Sequence, residues 1–159
     1  MESTIRQSIA AALAEDLGHG DVTSNALIAA EARCKTRLIA KQDGVLSGMT
    51  VFHGVFEVTN SQVTGLQGLS DGDTVKNGDV IASFSGNTRA VLSAERTALN
   101  FLQHLSGIAT VTRSFVDAVG DLPCRLCDTR KTTPLLRTLE KTAVRHGGGT
   151  NHRHNLADG

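Results

Sequence analysis

The stretch Asp128-Thr129-Arg130-Lys131-Thr132-Thr133-Pro134 follows an apolar approach at residues 122–126 that reads as a buried strand. At the end of that strand the side chains turn cationic and hydroxylated. Residues 134–146 then read as a helix, with Thr133 as N-cap and Pro134 at the first helical position; Leu135, Leu136, Leu139, Ala143 and Val144 lie at helical spacing. Arg145 and His146 fall in its last turn and Gly147 follows as the cap. Beyond it, Gly147-Gly148-Gly149-Thr150-Asn151-His152-Arg153 repeats the theme of a strand ending in cationic side chains. The order is strand, loaded loop, helix, strand, loaded loop. In parallel α/β architecture ligands sit at the carboxyl ends of strands, where both clusters fall.

Upstream, Ile5, Ile9, Leu13 and Leu17 recur every four residues from a Ser3 or Thr4 cap, so an amphipathic helix is predicted up to Gly18. Residues 33–41 alternate, with Cys34, Thr36, Leu38 and Ala40 on one face, as in a half-buried strand turned at Asp43-Gly44. Val51, Phe52, Val55 and Phe56 predict a short helix. Asp71-Gly72 and Asn77-Gly78 predict antiparallel hairpins over residues 69–85, with another short strand at 88–92. Ser93 is expected to open the longest helix, whose apolar face runs to Gly120, with a bend or close packing at Ser106-Gly107.

The chain has 159 residues and a formal net charge of zero, which argues against wholesale nucleic-acid binding. The balance is uneven, however: residues 1–120 carry 9 Lys/Arg against 12 Asp/Glu, and residues 121–159 carry 7 against 4. The basic excess lies beside the two loaded loops, as an anionic ligand requires. No apolar run approaches the roughly 18 residues of a membrane span, and the N-terminus lacks a basic-then-apolar signal pattern, so a cytoplasmic location without a membrane partner is expected. Cys124-Arg125-Leu126-Cys127 has C-x-x-C spacing, but strand positions three apart face opposite ways and no second pair completes a metal site. The three cysteines are therefore expected to be small buried side chains.

Arg130 supplies a fork that grips a carboxylate or phosphate bidentately, and Lys131 a compact charge beside it. Thr129, Thr132 and Thr133 add hydroxyls near a helix N-terminus, as an oxyanion site does. His152 and His154 share a face at alternate strand positions and could ligate a metal, but no third ligand stands at a recognisable spacing, so His152 and Arg153 are read as anion-binding groups. Arg96 is placed by the predicted boundaries in the first turn of the long helix, where the dipole disfavours a cation.

At these residues the chain resembles the quinolinate phosphoribosyltransferase family, the carboxylating nicotinate-nucleotide pyrophosphorylases. The likeness runs through Glu15-Asp16-Leu17-Gly18, Gly20-Asp21-Val22-Thr23, Glu95-Arg96-Thr97-Ala98-Leu99-Asn100-Phe101, Leu105-Ser106-Gly107-Ile108-Ala109-Thr110 and the two loaded loops. It implies an α+β N-terminal open-faced sandwich over residues 1–105 and the first part of an incomplete α/β barrel over 106–159. It also implies a transferase of NAD biosynthesis that takes quinolinate and phosphoribosyl pyrophosphate with Mg2+ to nicotinate mononucleotide, pyrophosphate and CO2, in a homodimer. By the same likeness Arg130, His152 and Arg153 hold the two carboxylates of quinolinate, Thr129 and Lys131 stand beside them, and Arg96 reaches the partner's site.

The family pattern continues for more than a hundred residues past Gly159, where the Mg2+ ligands, another substrate-binding lysine and the phosphate loops are expected. A closed barrel needs about 200 residues or more, so this chain reads as a truncated member with little turnover of its own. The alternatives are a paralogous phosphoribosyltransferase, such as the molybdenum-locus relative or nicotinate phosphoribosyltransferase, and a biotinyl- or lipoyl-like carrier built on the 69–85 hairpins, which needs a lysine at an exposed turn, where Lys76 lacks the flanking pattern.

Overall fold

A computed structural model describes residues 2–59, 61 and 63–158. Helix α1 (Ser3–Leu17) opens the chain with Ile9 and Leu13 buried, and Glu2, not Ser3 or Thr4, occupies its N-cap without a side-chain bond. A short helix that the periodicity did not reveal, α2 (Val22–Leu27), starts where Asp21 accepts the Ser24 N–H at 2.8 Å.

Three antiparallel strands form the main sheet in the order β1 (Arg33–Ile39), β5 (Val80–Asn87), β3 (Thr64–Gly68). Along β1 the exposed Arg33, Lys35 and Arg37 alternate with half-buried Cys34, Thr36 and Leu38, as the period-two pattern requires. Two short strands, β2 (Gly44–Val45) and β4 (Thr74–Val75), pair antiparallel beside it. The turns at Asp71-Gly72 and Asn77-Gly78 carry glycine φ values of 94° and 96°, which only a residue without Cβ adopts freely. Lys76, the lysine of the carrier alternative, is ion-paired with Asp43 at 2.9 Å.

Helix α3 (Met49–Val58) lies over this layer, and Phe52, Phe56 and Phe84 meet edge-on or tilted at 5.1–6.2 Å between ring centroids. Such pairs add about 0.5–1.5 kcal/mol beyond their area burial. The core continues through Ile9, Leu13, Leu46, Val55, Ala94, Ala98, Leu102 and Leu105 into Leu139 and Ala143.

The long helix α4 (Thr88–Val119) begins five residues before the predicted start, so residues 88–92 are helix and not strand. The reason lies at Asn87, whose side-chain oxygen accepts the Ala90 N–H at 3.1 Å and ends β5 where the helix begins. Arg96 is thus the ninth helical residue and not part of the first turn, which removes the dipole conflict. At the predicted irregularity the close packing is carried by Ser106, whose hydroxyl accepts the Ser47 N–H at 3.0 Å and donates to the Ser47 carbonyl at 3.1 Å.

After α4 the expected strand at 122–126 is absent. Leu122 is exposed, and the only ladder element there is a parallel bridge between Cys127 and Thr150. A strand is held by partners along its length, and among the described residues only the segment around Thr150 lies beside this one. The last helix, α5 (Arg137–His146), starts three residues later than predicted, because Leu135 takes a φ of 68° that no right-handed helix contains. The thiols also depart from expectation: Cys124 and Cys127 are exposed and Cys34 is half-buried. The exposure of Cys124 follows from the missing strand, since residues 121–125 have no sheet to cover them. The architecture is an α+β assembly with open sheets.

Candidate anion-binding site

The two loaded loops are joined at their roots by backbone bonds. Thr150 N–H donates to the Leu126 carbonyl at 2.9 Å, and Asp128 N–H donates to the Thr150 carbonyl at 3.1 Å. Helix α5 connects the two segments and closes against α4, where Gly147 comes so near that a Cβ there would lie 2.4 Å from the Ala109 carbonyl oxygen. The first loop, the helix and the second loop are therefore held at fixed separations.

Buried at this junction is a charge pair that the sequence reading did not pick out. Lys141 is 0% exposed and its ammonium donates to Asp128 Oδ1, whose side chain is 6% exposed. The same carboxylate oxygen accepts the backbone N–H of His152 at 2.8 Å. With its amide nitrogen facing the pair, Asn151 donates to Asp128 Oδ2 at 2.9 Å and to the Lys141 carbonyl at 2.8 Å. A buried ion pair is tolerated when its remaining lone pairs and protons are met, and Asp128 receives donors from three residues.

Lys141 belongs to a polar stripe on α5 made of Arg137, Glu140 and Lys141, at the i, i+3, i+4 spacing that puts three side chains on one helix face. Glu140 accepts His104 Nε2 at 2.8 Å and the Thr133 N–H at 3.1 Å. Burial pushes its carboxyl pKa up, but the hydrogen bonds from Thr133 and His104 outweigh that and hold it below the ordinary glutamate value. The Thr133 N–H is thus satisfied by a side chain from the first turn of α5, and Leu136, not Thr133, is the N-cap. Arg137 spreads its fork over three oxygens: Nε to Thr132 Oγ1 at 3.1 Å, Nη1 to the His154 carbonyl at 3.0 Å and Nη2, more weakly, to the Arg130 carbonyl at 3.4 Å.

Of the residues singled out from the sequence, Thr129, Arg130 and Lys131 lie on the first loop and His152 and Arg153 on the second. The Asp128–His152 bond brings the two groups side by side. The Thr129 hydroxyl accepts the Lys131 N–H at 3.0 Å and so shapes its own loop. Lys131, His152 and Arg153 are exposed, and among the described residues their side chains make no hydrogen bond or ion pair. Arg130 is half-buried, with its Nε out of solvent and without a protein partner. Arg96 stands apart, exposed on α4 and bonded to neither loop.

The carboxylates at this end are all engaged. Asp128 is taken by Lys141, Glu140 by His104, and Asp158 by the N–H groups of His154 and Asn155, which lower its pKa. The charges of Arg130, Lys131 and Arg153 are therefore left without carboxylate partners, and the arrangement suits a small anion with more than one acidic group. Sequence reasoning missed Lys141, Arg137, Glu140 and His104. The available signal was the i, i+3, i+4 spacing of Arg137, Glu140 and Lys141, which puts all three on one face of the predicted helix.

A cleft of about 340 Å3 lies between the N-terminal layer and α5, bounded by Ser47, Asp71, Arg145, His146, Asn151 and His154. Thr129, Arg130, Lys131, His152 and Arg153 do not line it. Its main internal bond is Ser47 Oγ to His146 Nδ1 at 2.8 Å, which fastens α5 to the N-terminal layer.

Comparison with known proteins gives two family matches, to the quinolinate phosphoribosyl transferase N-terminal domain at residues 21–106 and to its C-terminal domain at residues 108–159. The chain is 46% identical over 145 residues to a probable nicotinate-nucleotide pyrophosphorylase (carboxylating) of Bacillus subtilis, covering 91% of this chain and 50% of that protein. It is 42% identical to the corresponding probable enzyme of Synechocystis, over 92% of this chain and 49% of the relative. Among solved structures, NadC from Streptococcus pyogenes superposes with a TM-score of 0.93 at 48% identity, over 97% of this chain and 55% of that one. The nicotinate-nucleotide pyrophosphorylase from Francisella tularensis gives a TM-score of 0.92 at 36% identity, over 98% and 55%. The chain spans about half the length of the curated relatives it matches.

Proposed function

From the premise that the chain belongs to the quinolinate phosphoribosyl transferase family, we propose that it carries the dicarboxylate-binding part of a nicotinate-nucleotide pyrophosphorylase (carboxylating). The reaction joins quinolinate to the ribose of phosphoribosyl pyrophosphate, with release of pyrophosphate and CO2. In this reading the region after α4 is the first part of an α/β barrel and the two loaded loops are the ends of its first strands.

One observation carries the proposal: the Asp128–His152 bond sets two cation-bearing loops side by side while Lys141 neutralises the Asp128 carboxylate that joins them. Arg130 grips one carboxylate of quinolinate, His152 and Arg153 the other, with Thr129 and Lys131 at the rim. Fixed cations orient the ring and need no reorganisation as charge shifts during the reaction. Arg96, exposed and unpaired on α4, serves the site of the second protomer in a homodimer. That role explains an exposed cation whose side chain makes no hydrogen bond or ion pair among the described residues.

Magnesium does not fit the residues described. Asp128, Glu140 and Asp158 already accept ammonium, imidazole or backbone N–H donors, and among the described residues no three metal-ligating side chains gather.

Calorimetric titration with quinolinate, and with nicotinate as competitor, tests the reading. Saturable quinolinate binding that nicotinate displaces weakly, and that Arg130→Ala or Arg153→Ala reduces at least tenfold, is expected. Tighter binding of nicotinate than of quinolinate would point to a nicotinate-specific paralogue, equal affinity for both acids would remove the two-point site, and indifference to both substitutions would overturn it.

A further inference from the structure

The ligand-facing residues 129–131 and 152–153 are bracketed by two cross-ties between their loops. The inner tie is Asp128 Oδ1 to the His152 N–H. The outer tie is Arg137, which bonds Thr132 Oγ1 and the Arg130 carbonyl on the first loop and the His154 carbonyl on the second. Its three engaged nitrogens all end on protein oxygens, so its charge is spent on the loops and not turned toward a ligand. A planar guanidinium spans such a set of acceptors in one rigid geometry, which an ammonium cannot reproduce.

We infer that Arg137 is a positioning residue that sets the distance between the backbone bearing Arg130 and the backbone bearing His152 and Arg153. The inference rests on the proposed dicarboxylate site. Two acid groups on neighbouring ring carbons have a fixed separation, so a ligand gripped from both loops needs those loops at a matching spacing. An acid with one carboxylate is held by one loop and is indifferent to it. Preorganisation of this kind is felt in the affinity for the two-point ligand and little in the one-point ligand.

The experiment uses the whole chain with Arg137→Ala and Arg137→Lys, titrated with quinolinate and separately with nicotinate. Arg137→Ala is expected to weaken quinolinate binding about 10- to 100-fold, the range for residues that support a ligand shell, and to leave nicotinate within about threefold. Arg137→Lys, which keeps the charge but reaches fewer oxygens, is expected to fall between. Equal losses for both acids would mark a general loss of folded protein, and no loss for either would mark an idle surface arginine; both overturn the inference.

A second readout does not depend on the ligand. In Arg137→Ala, amide hydrogen exchange is expected to rise together in residues 129–133 and 151–155 while residues 139–146 keep their protection. A rise in one loop alone, or in neither, overturns the inference. If the parent chain fails to distinguish quinolinate from nicotinate, the proposed function falls, and the exchange result still decides whether Arg137 ties the loops.

Discussion

Lys141 and Asp128 form a buried ion pair, the lysine wholly out of solvent, at the root of two loops on which Lys131, His152 and Arg153 are exposed. The pair gives a carboxylate to the backbone of the second loop, through His152, without adding net negative charge where an anion is to bind. It therefore organises the site without opposing its ligand.

Removing one partner leaves a buried charge unpaired. Lys141→Met is expected to cost about 3–5 kcal/mol of stability, whereas the double variant Asp128→Asn with Lys141→Met recovers a large part of it. Urea unfolding of the four proteins of the cycle measures this. Additive single losses would show that the two groups do not depend on each other.

Glu140 predicts a pH dependence. Its folded pKa lies below the ordinary 4.5, so its bonds to Thr133 and His104 stabilise the fold above that value and are lost as pH falls through the folded pKa. Glu140→Gln should thus be less stable than the parent at pH 7, with the gap closing as the pH falls below 4.5 and through the lowered folded pKa. A gap that stays constant from pH 7 to pH 3 would exclude this carboxylate as its source.

Leu135 is 91% exposed with a φ of 68°, so its side chain contributes little packing while its backbone pays the left-handed penalty. Leu135→Gly should stabilise the chain by about 0.5–1 kcal/mol, the penalty less the greater freedom of glycine when unfolded. Leu135→Ala keeps the Cβ and should give no such gain. Thermal melting points of the two variants separate the cases.

Two glycines predict opposite signs. At Gly147 a Cβ would lie 2.4 Å from the Ala109 carbonyl and 2.6 Å from Thr112 Cβ, so Gly147→Ala should force α5 off α4 and cost about 1–3 kcal/mol. At Gly107, inside α4, a Cβ meets nothing within 4 Å, and Gly107→Ala should stabilise by about 0.5–1 kcal/mol. Denaturation midpoints that moved the same way in both would contradict the packing described between α4 and α5.

Periodicity alone placed α1, α3, the apolar face of α4 and the alternation of β1, because each is set by which side of a local element meets the core. The two loaded loops were legible for a similar reason: runs of cations and hydroxyls at the ends of apolar segments stand out in one dimension. What lay beyond the sequence was every feature settled by a distant partner. Lys141 could enter the interior only because Asp128 waits thirteen residues away, and a lysine without such a partner belongs in water. Thr133 lost its expected cap to Glu140, and α5 its first turn to the backbone of Leu135. The strand expected at 122–126 depended on neighbours to pair with. Local pattern fixes which face of an element is apolar, while long-range charge pairing and backbone satisfaction decide what that face, and each loop between, is fastened to.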